Sequence, residues 1–236
     1  METLLDALRR ELTANMDEKT RLGGQRFFKE EVKLYGIKSA VVQKISKEHF
    51  KSVKAYPKAE IFRLCDELWR SGYMEESFIA CNWSYFIHQL YEPADFEIFQ
   101  GWVADDVSNW ASCDTLCNHT VGTFIDMYPD YLARLKQWAK DENRWMKRAA
   151  AVSLIIPARQ GKFLSDIFEI ADTLLLDRDD MVQKGYGWML KAASQAHEED
   201  VFKYVIRNKA AMPRTALRYA IEKMPPARKS AAMARE

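Results

Sequence analysis

Apolar residues along this chain recur at steps of three and four and almost nowhere alternate. Leu4, Leu5, Leu8 and Leu12 make one stripe on Thr3–Met16. The same helical period runs through Phe27–Leu34 and Ala40–Phe50, on either side of a break at Tyr35-Gly36-Ile37 where Gly36 suits a helix end. Pro57, Pro93, Pro129 and Pro213 each precede a further periodic run, the first-turn position at which a missing N–H is harmless. Helices are predicted near 57–70, 75–90, 93–104, 108–127, 130–140, 144–156, 163–175, 180–194, 198–208 and 213–224. With nine glycines, seven prolines and no long Val/Ile/Thr alternation, little is left for strands, and the predicted class is all-α.

The pattern also repeats. Trp145-Met-Lys-Arg-Ala-Ala-Ala-Val-Ser-Leu154 aligns with Met181-Val-Gln-Lys-Gly-Tyr-Gly-Trp-Met-Leu190 at an offset of 36 residues (181 − 145), and Trp110 lies 35 residues before Trp145. Two helices per such interval predict a superhelical stack of antiparallel helix pairs, each burying its apolar face on the next and offering a concave inner surface. Ala149–Ala151 in one copy and Gly185 and Gly187 in the other are small enough for tight packing of inner helices. No linker is visible, so a single domain over 1–236 is expected, with roughly the last ten residues as a basic tail.

Composition narrows the class. A chain of 236 residues that is 48% hydrophobic and 12% aromatic can bury a continuous core. No run approaches the roughly 20 apolar residues of a membrane span. The N-terminal Met1-Glu-Thr-Leu-Leu-Asp is acidic where a signal peptide is basic, so a cytoplasmic protein with no membrane association is expected. Cys65, Cys81, Cys113 and Cys117 are too scattered for a disulfide scaffold. The net charge of +1 hides an asymmetry: eight acidic residues and no Lys or Arg between Glu92 and Ala133, but eight basic residues against Glu222 between Lys203 and Lys229. A polyanionic partner is compatible with that distribution.

Chemistry concentrates in Ser108–Gly122, where a helix would set Trp110 and Asp114 on one face. Taken alone, the pair reads as a core aromatic beside a solvated acid. Two later helices supply complementary groups: Arg144 and Arg148 four apart with Lys147 between them, then Lys184, Trp188 and Lys191. Guanidinium groups grip phosphate oxygens through paired hydrogen bonds, and flat aromatics pack on sugars or bases. A carboxylate would repel phosphate, so Asp114 points to a developing positive charge or an activated water. Trp69, Trp83, Trp102, Trp138 and Trp145 read as core, and Arg148 alone reads as a surface partner for Asp141 or Glu142. Cys113, Cys117 and His119 lack the four convergent ligands of structural zinc, and no metal is expected.

Trp110-x-x-x-Asp114, Asn143-x-Trp145-x-x-Arg148-Ala149-Ala150 and Val182-Gln183-Lys184-x-x-Gly187-Trp188, in this order and spacing, resemble the bacterial DNA alkylation repair glycosylases of the AlkD family. Tyr35-Gly36-Ile37 and Arg214-x-Ala216-Leu217-Arg218-Tyr219-Ala220-Ile221-Glu222 extend the likeness to nearly the whole chain. The resemblance implies HEAT-like repeats and hydrolysis of the N-glycosidic bond of 3-methyladenine and 7-methylguanine in duplex DNA, by a monomer without cofactor or metal. It makes Asp114 the catalytic carboxylate, Arg148 the phosphate clamp, and Trp110 and Trp188 the aromatic walls beside the deoxyribose. DNA contacts would come from Lys38, Ser39, Lys44, Arg144, Lys147, Arg148, Lys184, Lys191, Arg214 and Arg218. Family members often carry Gly-Ile-x-x-Pro-x-x-Arg where this chain has Gly36-Ile37-Lys38-Ser39-Ala40-Val41-Val42-Gln43, so Lys38, Ser39 and Lys44 would serve that flank. The alternatives are a non-catalytic DNA-binding paralogue for distorted or branched DNA, and a helical-repeat scaffold for a protein partner.

Overall fold

The computed structural model describes residues 3–234. It is all-helical, apart from an isolated parallel bridge between Lys33 and Tyr73. The chain divides into two compact units, Met1–Leu116 and Cys117–Glu236. No change of composition marks the division, which falls inside a helical stretch.

The first unit contains α1 (Leu4–Ala14), α2 (Glu18–Gln25), α3 (Ser39–Val53), α4 (Lys58–Arg70), α5 (Met74–Phe86), α6 (Asp95–Gly101), a π-helical turn at Trp102–Asp106, and α7 (Trp110–Thr115). Thr3 and Asp6 close a capping box on α1, whose Leu5, Leu8 and Leu12 are buried. Helices α1, α3, α5 and α7 pack successively side by side, and α4 folds back on α5 after a short turn. The periodic stretch 27–34, expected as a helix, is not one. Asp17 starts α2 earlier by accepting from the Thr20 N–H at 2.7 Å. The Gln25 amide then clamps the following turn, donating to Glu30 O at 2.7 Å and accepting from Val32 N at 3.1 Å.

Beyond that clamp the backbone stays extended because its donors have a better acceptor. The buried Glu75 carboxylate accepts from the N–H groups of Tyr35, Gly36 and Ile37 at 3.1, 2.8 and 3.2 Å. Gly36 lies at φ +83° with the Asp17 carbonyl oxygen only 2.5 Å from where a Cβ would sit, so no other residue fits. The neighbouring Glu76, also buried, receives the Tyr35 hydroxyl at 2.8 Å and the Arg9 guanidinium at 3.0 Å. Two carboxylates in a helical core are thereby satisfied, as burial requires.

The second unit runs α8 (Gly122–Met127), α9 (Leu132–Trp138), α10 (Arg144–Val152), α11 (Ile155–Arg159), α12 (Leu164–Leu174), α13 (Asp180–Ala193), α14 (Glu198–Asn208), α15 (Arg214–Ala220) and α16 (Pro226–Met233). The helix predicted over 144–156 is two helices: Pro157 has no N–H for the Ser153 carbonyl, and α11 begins after the break. The stretch expected as a basic tail is largely the docked helix α16, with Ala232 buried and Arg228 paired to Glu198 and Glu199; Arg235 and Glu236 lie outside the described residues. Side-chain bonds recur at the repeat interval within each unit: Ser77 to Ser112, Asn82 to Ser46 and Trp102 to Asp66 in the first; Arg144 to Asp179, Lys162 to Asp126 and His197 to Gly161 in the second. Those pairs are 35 or 36 residues apart, so each helix pair meets its successor in the same register.

Helix α13 packs between α10 and α15. A Cβ on Gly187 would lie 2.7 Å from Tyr219 Cβ and 2.8 Å from the Ala216 carbonyl oxygen, so the crossing with α15 brings backbone against backbone. Gly187→Ala is expected to cost about 1–3 kcal/mol. At about 2–4 °C per kcal/mol the thermal midpoint falls by several degrees. Gly101→Ala, which meets nothing within 4 Å on α6, should leave the midpoint unchanged or raise it. Equal midpoints for the two variants would contradict the close crossing.

Candidate active site

Two sets of predicted site residues are each assembled inside one unit. In the first unit Trp110 opens α7 and Asp114 follows one turn later on the same face, both half-buried. The helix is fixed at its start by Asn109, which is buried, accepts from the Ser112 N–H at 2.9 Å and donates to Ser112 Oγ at 3.1 Å. Ser112 Oγ in turn pairs with Ser77 Oγ of α5 at 2.7 Å. A π-helical segment, Leu116–Val121, follows immediately; such insertions widen a helix and are frequent at functional sites.

The indole of Trp110 is oriented by residues that sequence reading placed in a helix. Its Nε1 donates to the Phe27 carbonyl at 3.4 Å, and the Phe28 ring stacks on it with centroids 5.4 Å apart at 26°. Phe27 is 76% exposed. The adjacent Phe27-Phe28 pair was the available signal, but its apolar period was absorbed into the helix assignment. Lys38 and Ser39 stand at the start of α3 and Lys44 on its second turn, all three exposed.

In the second unit Arg148 is 5% exposed, so it is no surface partner of Asp141 or Glu142. Its Nη1 donates to the Met181 carbonyl at 2.5 Å, and its stem passes over Gly185, where a Cβ would lie 3.3 Å from Arg148 Cγ. Gly185 therefore makes the room that Arg148 occupies, while Gly187 faces α15. Lys184, Trp188 and Lys191 share the arc of α13 between those glycines, each half-buried. Trp69, Trp83, Trp102, Trp138 and Trp145 are all buried, which leaves Trp110 and Trp188 as the tryptophans with accessible ring surface.

Most of the cations expected to meet DNA here have carboxylate partners, which sequence reading missed. Arg144 Nε lies 3.0 Å from Asp179 Oδ2, and the guanidinium also sits over the Trp145 ring. Lys147 pairs with Asp177 at 2.7 Å and Lys184 with Asp180 at 2.8 Å. Lys191 pairs with Glu222 at 2.9 Å, and that hydrogen bond holds the Glu222 carboxyl below its ordinary range. Arg214 reaches the Met233 carbonyl at 3.3 Å, and Arg218 is exposed on α15. Extending the 36-residue offset a few positions upstream brings Asp141 onto Asp177 and Asn143 onto Asp179, and would have flagged this loop. Cys113 and Cys117 are buried, and among the described residues no group of three or more His, Cys, Asp or Glu could hold a metal ion.

The profile described as DNA alkylation repair enzyme matches residues 8–224, nearly the whole chain. The chain belongs to the DNA alkylation repair enzyme family. A solved structure described as a predicted DNA alkylation repair enzyme from Enterococcus faecalis has the same fold, with a TM-score of 0.80, 16% identity, and coverage of 90% of this chain and 98% of that one. No curated protein matches the chain. Among the described residues no helix is long and apolar enough to cross a membrane.

The Asn109 cap makes the position of α7 testable. Asn109→Ala removes the acceptor for Ser112 N–H and a buried partner for Ser112 Oγ, together worth about 2 kcal/mol. The urea midpoint should fall accordingly, and Asn109→Ser, which keeps a capping oxygen, should recover part of the loss. An Asn109→Ala midpoint equal to wild type would show that α7 is held by other means.

Proposed function

We propose that this family member is a DNA N-glycosylase of the AlkD type, built on HEAT-like repeats. It would hydrolyse the N-glycosidic bond of cationic alkylated purines, 3-methyladenine and 7-methylguanine, in duplex DNA as a step of base excision repair. The observation that carries this reading is the half-buried pair on α7, an anion one turn from an aromatic plate whose indole is itself held in place. Both groups keep part of their surface exposed, and the pair fits a positive sugar better than it fits phosphate.

The chemistry follows from the charge already on the lesion. As the C1′–N9 bond breaks, its electron pair returns to the base, which leaves neutral and needs no proton. The deoxyribose keeps the positive charge. Asp114 would stabilise that charge, orient a water whose oxygen bonds to C1′, and accept the proton the water loses, leaving an abasic site and a free base. Trp110 and Trp188 would flank the sugar, and Arg148 would fix an adjacent phosphate. No cofactor or metal enters the scheme. We further propose that the protein acts as a cytoplasmic monomer.

Asp114→Asn keeps the shape and removes the anion. Single-turnover release of 7-methylguanine from methylated duplex should fall by about 10²–10³-fold while duplex binding is retained. Equal rates would remove Asp114 from the mechanism. Wild-type protein that binds duplex but releases no base would instead favour a non-catalytic DNA-binding role. Among the DNA contacts, Arg218→Ala should lower the slope of log K against log[salt] by about 0.9 without altering thermal stability. An unchanged slope would take Arg218 out of the interface.

A further inference from the structure

Three cations assigned to DNA phosphate in the reading above are held by three carboxylates from one run of sequence, Asp177 to Asp180, which leads from α12 into α13. The side chains of Lys147 and Asp177 are only 21% and 13% exposed, and those of Arg144 and Asp179 33% and 28%, so these long-range pairs are partly shielded from solvent. They are a built feature of the second unit.

The repeat provides an internal comparison that separates the structural work of these acids from their charge. Before α10, Asp141 Oδ1 accepts from the Asn143 N–H and Asn143 Oδ1 accepts from the Trp145 N–H, each at 2.8 Å. Before α13, Asp177 Oδ1 accepts from the Asp179 N–H and Asp179 Oδ1 from the Met181 N–H, again at 2.8 Å. The turn is the same, and in the earlier copy a neutral asparagine caps the helix. A negative charge at 179 is therefore not required by the cap. The acids also meet the cations: Asp177 Oδ2 faces Lys147, and Asp179 faces Arg144 with both oxygens, Oδ2 3.0 Å from Nε and Oδ1 accepting from Nη2 at 3.2 Å. At the first position of α13 stands Asp180, where the offset of 36 puts Arg144 at the first position of α10, and it pairs with Lys184.

We propose that Asp177, Asp179 and Asp180 act as an internal stand-in for DNA phosphates, which duplex must displace from Arg144, Lys147 and Lys184, so that undamaged DNA is held weakly. The inference rests on the DNA-glycosylase reading. Its physical basis is ion exchange. When a bare cation neutralises a phosphate, a counterion leaves the DNA and binding gains from its release. When the cation first has to part from a carboxylate, that carboxylate takes up a cation from solution, and the two exchanges cancel. Each such pair thus contributes a charge to the site but almost nothing to salt-dependent affinity. It also keeps the long Arg and Lys side chains in place before DNA arrives.

The test compares full-length wild type with Asp179→Asn, Asp177→Asn and Asp141→Asn. Asparagine preserves Oδ1 for the backbone bond, removes the negative charge and puts an N–H group where Oδ2 faced the cation; this breaks the Asp177 pair outright and leaves Arg144 at most the neutral Oδ1 of residue 179. Asp141→Asn removes the same single charge from the equivalent turn, where the carboxylate serves the Asn143 N–H. Binding of a short undamaged duplex is measured across a salt series, with 7-methylguanine release and a thermal melt run on every protein. Asp179→Asn and Asp177→Asn should each bind several-fold more tightly than Asp141→Asn, with a slope steeper by about 0.9. Slopes and affinities equal to those of Asp141→Asn, or weaker binding, would overturn the proposal. If the Asp179→Asn melt collapses, Asp177→Asn decides. A wild-type protein that neither binds duplex nor releases base would refute the glycosylase reading itself, a result distinct from a wild type that does both while the Asp variants behave like the control.

Discussion

The approach of α13 to α15 is the constraint on which the second unit depends. Gly187 admits the Ala216 carbonyl and the Tyr219 Cβ at distances no side chain tolerates, and this fixes how α13 is rotated about its axis. Once that face is committed, Gly185 is turned toward α10 and leaves the channel that the Arg148 stem fills. Lys184, Trp188 and Lys191 then occupy the remaining arc. Two glycines, each with a different neighbour, thus settle which side chains the helix can present. A methyl group at 187 would rotate or lift the helix and move all of them together.

Electrostatics is handled differently in the two units. In the first, Glu75 and Glu76 are buried and satisfied by three backbone N–H groups, a phenol and Arg9, which locks the extended segment between α2 and α3. In the second, the acids stay near the surface and face cations across neighbouring helices. The first arrangement stabilises a fold. The second, under the proposed function, sets how readily a polyanion is accepted, because Arg144, Lys147, Lys184 and Lys191 must each exchange one anion for another.

Much of this was legible in the chain. The 3.6-residue period located most helices, the prolines their starts, and the offset of 36 residues the register in which successive pairs meet. The all-α class and the identity of the core tryptophans followed from the same periodicity. What could not be read was set by contacts distant in sequence. Residues 27–34 have a helical period, but the Gln25 amide clamps Glu30 and Val32, and Glu75, about 40 positions on, takes the N–H groups of the three residues that follow, Tyr35, Gly36 and Ile37. The Phe28 stack on Trp110 joins residues more than 80 apart, and the Phe27-Phe28 pair, its one local sign, does not name the partner. Ion pairing was missed for Arg144, Lys147 and Lys191 because each was weighed on its own helix, whereas its partner lies about one repeat away; Asp180, one turn before Lys184 on α13, was within reach of the sequence.

The central claim is that catalysis uses the positive charge of the lesion and supplies only an anion and a water. It is tested most directly by matched duplexes carrying either 7-methylguanine or 7-deaza-7-methylguanine, which keeps the shape and the N-glycosidic bond but is neutral. Single-turnover release of 7-methylguanine with no release of the deaza base is the predicted result. Comparable release of both bases would contradict the account, because the enzyme would then have to activate the leaving group itself.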